Sequence, residues 1–388
     1  MSAPPPAPPA AKAPVAKEPV GPPLPQPVRP TPRPAPMQVP APQRARVAST
    51  DGTMGTIAVF PVENISGATV QADDVTKFLV STVASAGARV LDARALDAFV
   101  TRHRLRYAAG VDIDTGRWLR DEEGVDGVLI ASFEYSNETV PPKVALIVRL
   151  VTTNGAPVVV WSEDAGMAGD DAPGLFGLHL VNQYHALERK ALDRIGASLL
   201  AYLKEGRRTE GPKAAGKFRP RTSYRTLTLE SGRTYTVAVA PFFNLSARRT
   251  AGETMELLFM RHLSSIPQFR VVDAGVVRRQ LLDARVIMNS GLSTSDASAI
   301  AAPVDADLVL SGRVIRYVDY VGPAGLARVE FSTVLIDKKS GKVVWSSESY
   351  NDGRDGIGLF ERGLTRTAHA MATQMVKITA DMIAGRGR

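Results

Sequence analysis

The sequence predicts an α/β (α+β-like) sandwich: two tandem homologous modules with mixed sheets and flanking helices, preceded by a disordered proline-rich tail. Three observations predict it. The stretch Ile57-Ala-Val-Phe-Pro-Val-Glu-Asn-Ile-Ser66 recurs as Val237-Ala-Val-Ala-Pro-Phe-Phe-Asn-Leu-Ser246, with Pro61 and Pro241, Asn64 and Asn244, and Ser66 and Ser246 each 180 positions apart. Later landmarks recur in the same order: Arg89-Val-Leu-Asp92 with Arg270-Val-Val-Asp273, Asp126 with Asp307, and Trp161 with Trp345. Finally, residues 1–43 hold 17 of the 28 prolines.

The repeated stretch reads as a buried strand that stops at a turn. Its Val- and Ile-rich run suits a core strand. The proline has no N–H for a ladder, and Asn and Ser after it can bond the turn backbone. Two copies of about 150 residues describe a duplicated globular domain and not a solenoid.

The tail, residues 1–50, has too little apolar content to bury a core and reads as disordered chain with polyproline II character. Residues 1–43 fully extended reach roughly 130 Å at about 3.1 Å per residue, which suits a semi-rigid spacer. The first module is expected over 53–204: a strand at 56–62, helices near 70–86, 93–103 and 112–123, strands at 127–135, 143–152 and 158–162, and a closing helix over 175–203. Asn154-Gly155 is a strong hairpin signal. Residues 205–233 read as a basic linker and hairpin, with 226–230 and 234–240 flanking Ser231-Gly232. The second module, 234–384, repeats the plan with helices near 251–265, 274–284 and 294–301, strands at 307–317, 327–337 and 342–347, and a closing helix over 358–383. The modules are expected to separate at 205–221 into halves that each stay folded.

The net charge of +8 is unevenly placed. Residues 1–50 carry a net +5 and residues 204–234 a net +6, which leaves the remainder near −3. A domain that grips phosphates carries its charge on a folded face. Here no specific nucleic acid is expected, and the flexible basic segments suit loose contact with an anionic polymer or surface, or simple solubility. With no cysteine, the chain has no disulfide, thiolate metal site or cysteine nucleophile. No run of 18 apolar residues or signal-peptide pattern is present.

The search for chemistry leaves the site empty: no catalytic, cofactor-binding or metal residue is expected. His103, His179, His185, His262 and His369 scatter over predicted helices without metal-ligand spacing and read as surface or half-buried. No Walker loop, His-Glu-x-x-His or nucleophile elbow occurs. Gly353, Gly356 and Gly358 read as a loop entering the last helix. Asp112 and Asp114 suit a helix start, and Asp121-Glu122-Glu123 a helix end. Trp161 and Trp345 are expected to pack on the closing helices.

The combination of strand-Pro-x-x-Asn-x-Ser, Val-Val-Asp273, Ala306-Asp-Leu-Val-Leu-Ser-Gly312 and Ile336-Asp-Lys-Lys-Ser-Gly-Lys-Val-Val-Trp345 resembles the CsgG/LpoB/TolB-N-terminal-like family of bacterial envelope proteins, duplicated in tandem. The resemblance implies a non-enzymatic cell-envelope interaction protein, a periplasmic or outer-membrane-attached scaffold or activator. Its implied partner is a peptidoglycan synthase or a secretion or appendage component, and the anionic polymers its flexible basic segments would touch are then those of the envelope. The alternative it implies is a component of an outer-membrane secretion or surface-appendage assembly, with a homo-oligomer allowed. The tail is similar to the flexible stem of family lipoproteins. Met1 is then expected to stand where a lipidated cysteine precedes Ser2-Ala3.

Overall fold

The computed structural model describes residues 55–105, 109–171, 180–208, 214–286, 291–320, 326–355 and 364–386, all within one compact unit, Val47–Arg388. The expected tail and residues 53–54 lie outside the described residues. Mixed α/β architecture is observed, with two sheets of matching plan.

In the first half, β1 (Thr56–Val59) lies between β3 (Arg89–Val90) and β4 (Gly127–Asn137) and is parallel to both. β5 (Lys143–Thr152) and β6 (Val159–Ala168) complete the order β3-β1-β4-β5-β6, and β2 (Glu63–Asn64) pairs with β4. Helices α1 (Ala72–Ser85) and α4 (Tyr184–Glu205) cover one face, while α2 (Ala93–Arg102) and α3 (Ile113–Glu123) lie beside the β3 side of the other. The second half runs β10-β8-β11-β12-β13 in the same order: β10 (Phe269–Val271), β8 (Tyr235–Val239), β11 (Leu308–Val318), β12 (Arg328–Asp337) and β13 (Lys342–Asp352). β9 (Phe243–Asn244) pairs with β11 as β2 does with β4. Helices α5 (Ala251–Ser264) and α8 (Ala368–Ile383) pack on one face, and α6 (Ala274–Asp283) and α7 (Thr294–Val304) on the other.

The repeated turn folds identically in both halves. Asn64 accepts from Ser66 N and Ser66 Oγ at 3.1 and 2.6 Å and donates to Ala68 O at 2.7 Å. Asn244 does the same with Ser246 N, Ser246 Oγ and Arg248 O at 3.0, 2.7 and 2.6 Å. Asp126 and Asp307 likewise each accept from the first strand of their half, at Thr56 N and Thr236 N. Gly155 and Gly341 hold the hairpin turns with φ of 70° and 65°, a region that costs glycine little.

The structure differs from the sequence reading at four places. The hairpin over 226–240 does not form. Instead β7 (Thr222–Arg225) adds antiparallel to the outer edge of β13, at the opposite end of the sheet from β10. The stretch 205–233 is therefore only partly a linker. α4 runs to Glu205, and a 3-10 turn at Gly216–Phe218 buries Phe218. Strands β6 and β13 outrun their apolar cores by five or six residues, because their polar continuations, such as Glu163-Asp164 and Ser347–Asn351, stay paired to the neighbouring strand. The closing helices begin at Tyr184 and Ala368, and residues 172–179 and 356–363 lie outside the described residues.

The two halves stack head to tail. The α5/α8 layer of the second half packs on its own sheet and, with its opposite side, on the face of the first sheet turned away from α1 and α4. This explains why α5 buries nearly its whole circumference, including Leu257, Met260, Arg261 and His262. One continuous apolar cluster joins Ile130 and Ile147 of the first half to Leu258 and Met375 of the second. Val239 and Val309 are fully buried in the second sheet. Replacing either with Asp is expected to cost about 4–5 kcal/mol or more by burying an unpaired charge. With a shared core, thermal unfolding followed by circular dichroism should lose both halves in one transition. A mutant that melts like wild type, or melts in two steps, would contradict this.

Candidate functional site

The most elaborate polar arrangement lies in the seam between the halves. β4 carries a bulge between Phe133 and Tyr135, and the extra residue is Glu134. A bulge re-aims a side chain out of strict alternation. Here it serves a fully buried carboxylate. His369, in the first turn of α8, hydrogen-bonds through Nδ1 to Glu134 Oε2 and through Nε2 to Asp164 Oδ2 at 2.9 Å. Gly166 makes room for the imidazole, since a Cβ there would sit 2.4 Å from His369.

The surrounding donors complete the carboxylates. Tyr317 donates to Glu134 at 3.1 Å, and Thr373 donates to Asp164 at 2.6 Å. Arg261 on α5 spans Asp164 at 3.1 Å and Glu163 at 3.0 Å. Ser198 then ties Glu163 to α4 at 2.9 Å. Arg248 donates to the Glu134 carbonyl, pairs with Asp319 at 3.4 Å and lies over the rings of Tyr135 and Tyr317. Burial alone would strip the proton from His369. The Glu134 charge and the bonds to Asp164 and Glu134 outweigh it and lift the imidazole to about 10. Burial would likewise raise Asp164, but His369 and Arg261 hold it well below the usual carboxylate range. Both ring nitrogens of His369 therefore donate.

A second clasp closes the other end of the seam. Asp273, which caps α6 through Gly275 N at 3.0 Å, also accepts from Arg149 Nε at 2.9 Å and Val111 N at 2.7 Å. Arg149 donates in addition to the Ala109 carbonyl. Val158 and Val272 form a single antiparallel bridge between the two sheets. Gly110 and Gly275 touch backbone to backbone, where a Cβ on either would meet atoms within 2.6 Å.

A histidine between carboxylates invites a catalytic reading, and the geometry argues against it. Acid–base or nucleophilic work needs a reacting atom beside the imidazole. Both nitrogens are occupied, and His369 is 1% exposed. The adjoining cavity, lined by Asp164, Arg194, Arg261, His262, Thr373 and Lys377, holds about 110 Å³, small against the roughly 300–1,000 Å³ of ligand sites. Among the described residues no group of three or more ligating side chains could hold a metal, and no helix is long and apolar enough to cross a membrane.

The expected surface or half-buried histidines resolve differently. His262 and His369 are buried in the seam, a correction to the helix-surface reading, because α5 and α8 are covered on both sides. His103 stacks on Trp118 and pairs with Glu122, His185 reaches Glu188 at 3.5 Å, and His179 lies outside the described residues. Asp112 caps α3 through Thr115 N at 2.7 Å. Asp114 pairs with Arg117 in the first turn. Trp161 donates to Ser198 on α4, while Trp345 donates to Thr333 on β12. Gly353 packs against the Thr365 carbonyl, and Gly356 and Gly358 lie outside the described residues.

The fold and its seam describe an α/β protein whose deep polar groups are spent on holding two halves together. Residues 216–350 match the model of the family described as peptidoglycan-synthase activator LpoB. No curated protein matches the chain significantly. Similar solved structures include the PelC dodecamer from Paraburkholderia phytofirmans (22% identity, 40% of this chain and 96% of that one, TM-score 0.27). Lipoprotein GNA1162 from Neisseria meningitidis is another (22%, 37% and 99%, TM-score 0.27). A third is the LpoB C-terminal domain from Salmonella enterica (18%, 31% and 86%, TM-score 0.23).

The seam sets a pH window. Burial raises Glu256 on α5 to about 8, so its stabilising proton is lost as pH rises through that value. Burial, then Arg261, lowers His262 to about 3, so its contribution fades as pH falls below 6.5. Glu256 thus loses its contribution as pH rises from about 4.5 to 8, and His262 as pH falls from about 6.5 to 3, so the melting temperature should be highest between about pH 4.5 and 6.5 and fall on both sides. His369→Ala strands two carboxylates and is expected to cost about 3–5 kcal/mol in chemical denaturation. A loss under about 1 kcal/mol would remove the seam from its central place.

Proposed function

We propose that the chain is a non-enzymatic cell-envelope activator that binds a peptidoglycan synthase. Two duplicated α/β modules act as one rigid body, and the proline-rich tail acts as a spacer from an outer-membrane attachment. The observation that carries this reading is the match of residues 216–350, from the buried Phe218 turn to Tyr350, to the synthase-activator family. The enclosed state of every histidine–carboxylate arrangement in the seam supports a binding role over a catalytic one. The chain's 180-residue periodicity and the twin Asn-x-Ser turns support the duplication.

The test is reconstitution. Adding the purified full chain to a bifunctional peptidoglycan synthase from the same cells is expected to raise its glycan polymerisation or crosslinking severalfold, with no such product formed by the chain alone. An unchanged synthase rate together with no measurable complex would overturn the reading.

A further inference from the structure

We propose that the cavity between the end of β6 and the first turns of α4 is the docking site for an extended segment of the partner protein, one that carries an aromatic side chain beside acidic residues. This rests on the activator reading above.

The duplication supplies a precedent. The connection after β6 is built like the one after β13. Gly169 N donates to Pro142 O and Val181 N to Gly169 O, as Gly353 N donates to Ala327 O and Thr365 N to Gly353 O. Asp171 accepts from Ala168 N at 2.7 Å, as Asp355 does from Asp352 N at 2.9 Å. In the second half a preceding piece of chain fills the space beside this connection. The 3-10 turn Gly216–Phe218 packs against β13 and α8, with Phe218 buried. The turn is held at the matching positions: Asn351 Nδ2 donates to Lys217 O at 2.9 Å, and Lys217 Nζ donates to Asp355 O at 2.7 Å. In the first half the matching space is a cavity of about 390 Å³, within the roughly 300–1,000 Å³ of ligand sites. Met167, Ala168, Asp171, Leu187, Lys190 and Arg194 bound it.

The residue changes select the occupant. Met167 and Leu187 give the cavity apolar walls, which suit a large side chain in the role of Phe218. Where the second half has neutral Gln374 and Ile378, α4 carries Lys190 and Arg194 one turn apart over the cavity. Lys190 is exposed, and Arg194, with its side chain 46% exposed, reaches Glu163 only at 3.7 Å. Asp171 is the one carboxylate bounding the cavity, and it is committed to Ala168 N. An acidic neighbour of the docked aromatic residue would meet both cations. The chain's own tail does not fit this description: residues 1–50 contain no aromatic residue and carry a net +5. Nor do the two most exposed aromatic side chains among the described residues. Tyr224 stands between Arg221 and Arg225, and Tyr320 follows an Asp319 that is buried against Arg248. An acidic and aromatic stretch of another protein fits both cavity and rim, with the aromatic anchor in a pocket that is favoured at binding hot spots.

The experiment is site-directed photocrosslinking of the full chain to the purified periplasmic part of the synthase. p-Benzoylphenylalanine replaces Met167 and, in a separate control chain, the exposed Leu282 on α6. Binding is measured in parallel for wild type, K190E, which reverses a rim charge, and M167W, which fills the cavity. Melting curves verify folding, and K190E carries the test where M167W lowers the melting temperature. The probe at Met167 is expected to crosslink to a synthase peptide with Phe, Tyr or Trp next to Asp or Glu, and the probe at Leu282 is expected to give no such product. K190E and M167W are expected to bind at least about tenfold more weakly than wild type. Binding of folded K190E and M167W at wild-type strength overturns the site and leaves the activator reading intact. A Met167 crosslink to the chain's own tail or to a second copy also overturns it, because the occupant is then the chain itself. Failure of wild type to bind removes the activator reading and the docking site together.

Discussion

The imidazolium of His369, held between Glu134 and Asp164, is the interaction on which the two-part structure depends. Three buried carboxylates meet in the seam, Glu134, Asp164 and Glu163, and each would be prohibitive to bury alone. His369 and Arg261, both from the other half, supply two of the countercharges, and Arg194 of the first half lies 3.7 Å from Glu163. Neither half carries a balanced set. The seam is therefore not an apolar contact decorated with ion pairs. It is a shared charge arrangement in which each half completes the other, embedded in a continuous apolar cluster.

The same plan thus appears twice with few changes. The turn after the first strand, the carboxylate that accepts from it and the strand order agree between halves. What differs is the outer surface of each layer. α5 has Leu257 and Met260 where α1 has Lys77 and Val80, so one helical layer is covered and the other meets solvent. The first sheet has Gly166 and Ala145 where the second has Tyr350 and Glu330, so one face receives helices closely and the other does not. The basic stretch after α4 also changes character on folding. Arg221 and its neighbours join the second sheet through β7 and the buried Phe218.

Most of the fold was legible in the sequence, because strands and helices carry local signals. Asn154-Gly155 marks a hairpin, Asp92 and Asp273 cap helices, and Val144, Leu146, Val148 and Leu150 alternate in a buried strand. The seam was not legible. His369 and Glu134 lie 235 positions apart, and nothing in a helical pattern distinguishes a histidine that faces water from one that faces another module. The bulge that aims Glu134 breaks alternation by a single residue. The one local hint was compositional: over Met255–Leu263 only Glu256, Arg261 and His262 interrupt the apolar residues, fewer polar positions than a helix with a full solvent face carries. The strand β7 escaped notice because its four residues, Thr222–Arg225, are all exposed and lack a buried face.

Head-to-tail stacking has a consequence for stoichiometry. A two-fold arrangement would present each surface twice and give the chain two equivalent grips. Head-to-tail stacking leaves unlike ends, the α1/α4 layer at one and the second sheet with α6 and α7 at the other. Despite its internal repetition the molecule is monovalent toward anything that reads one end. Any gain in avidity must then come from many chains held on one surface and not from the repeat within the chain.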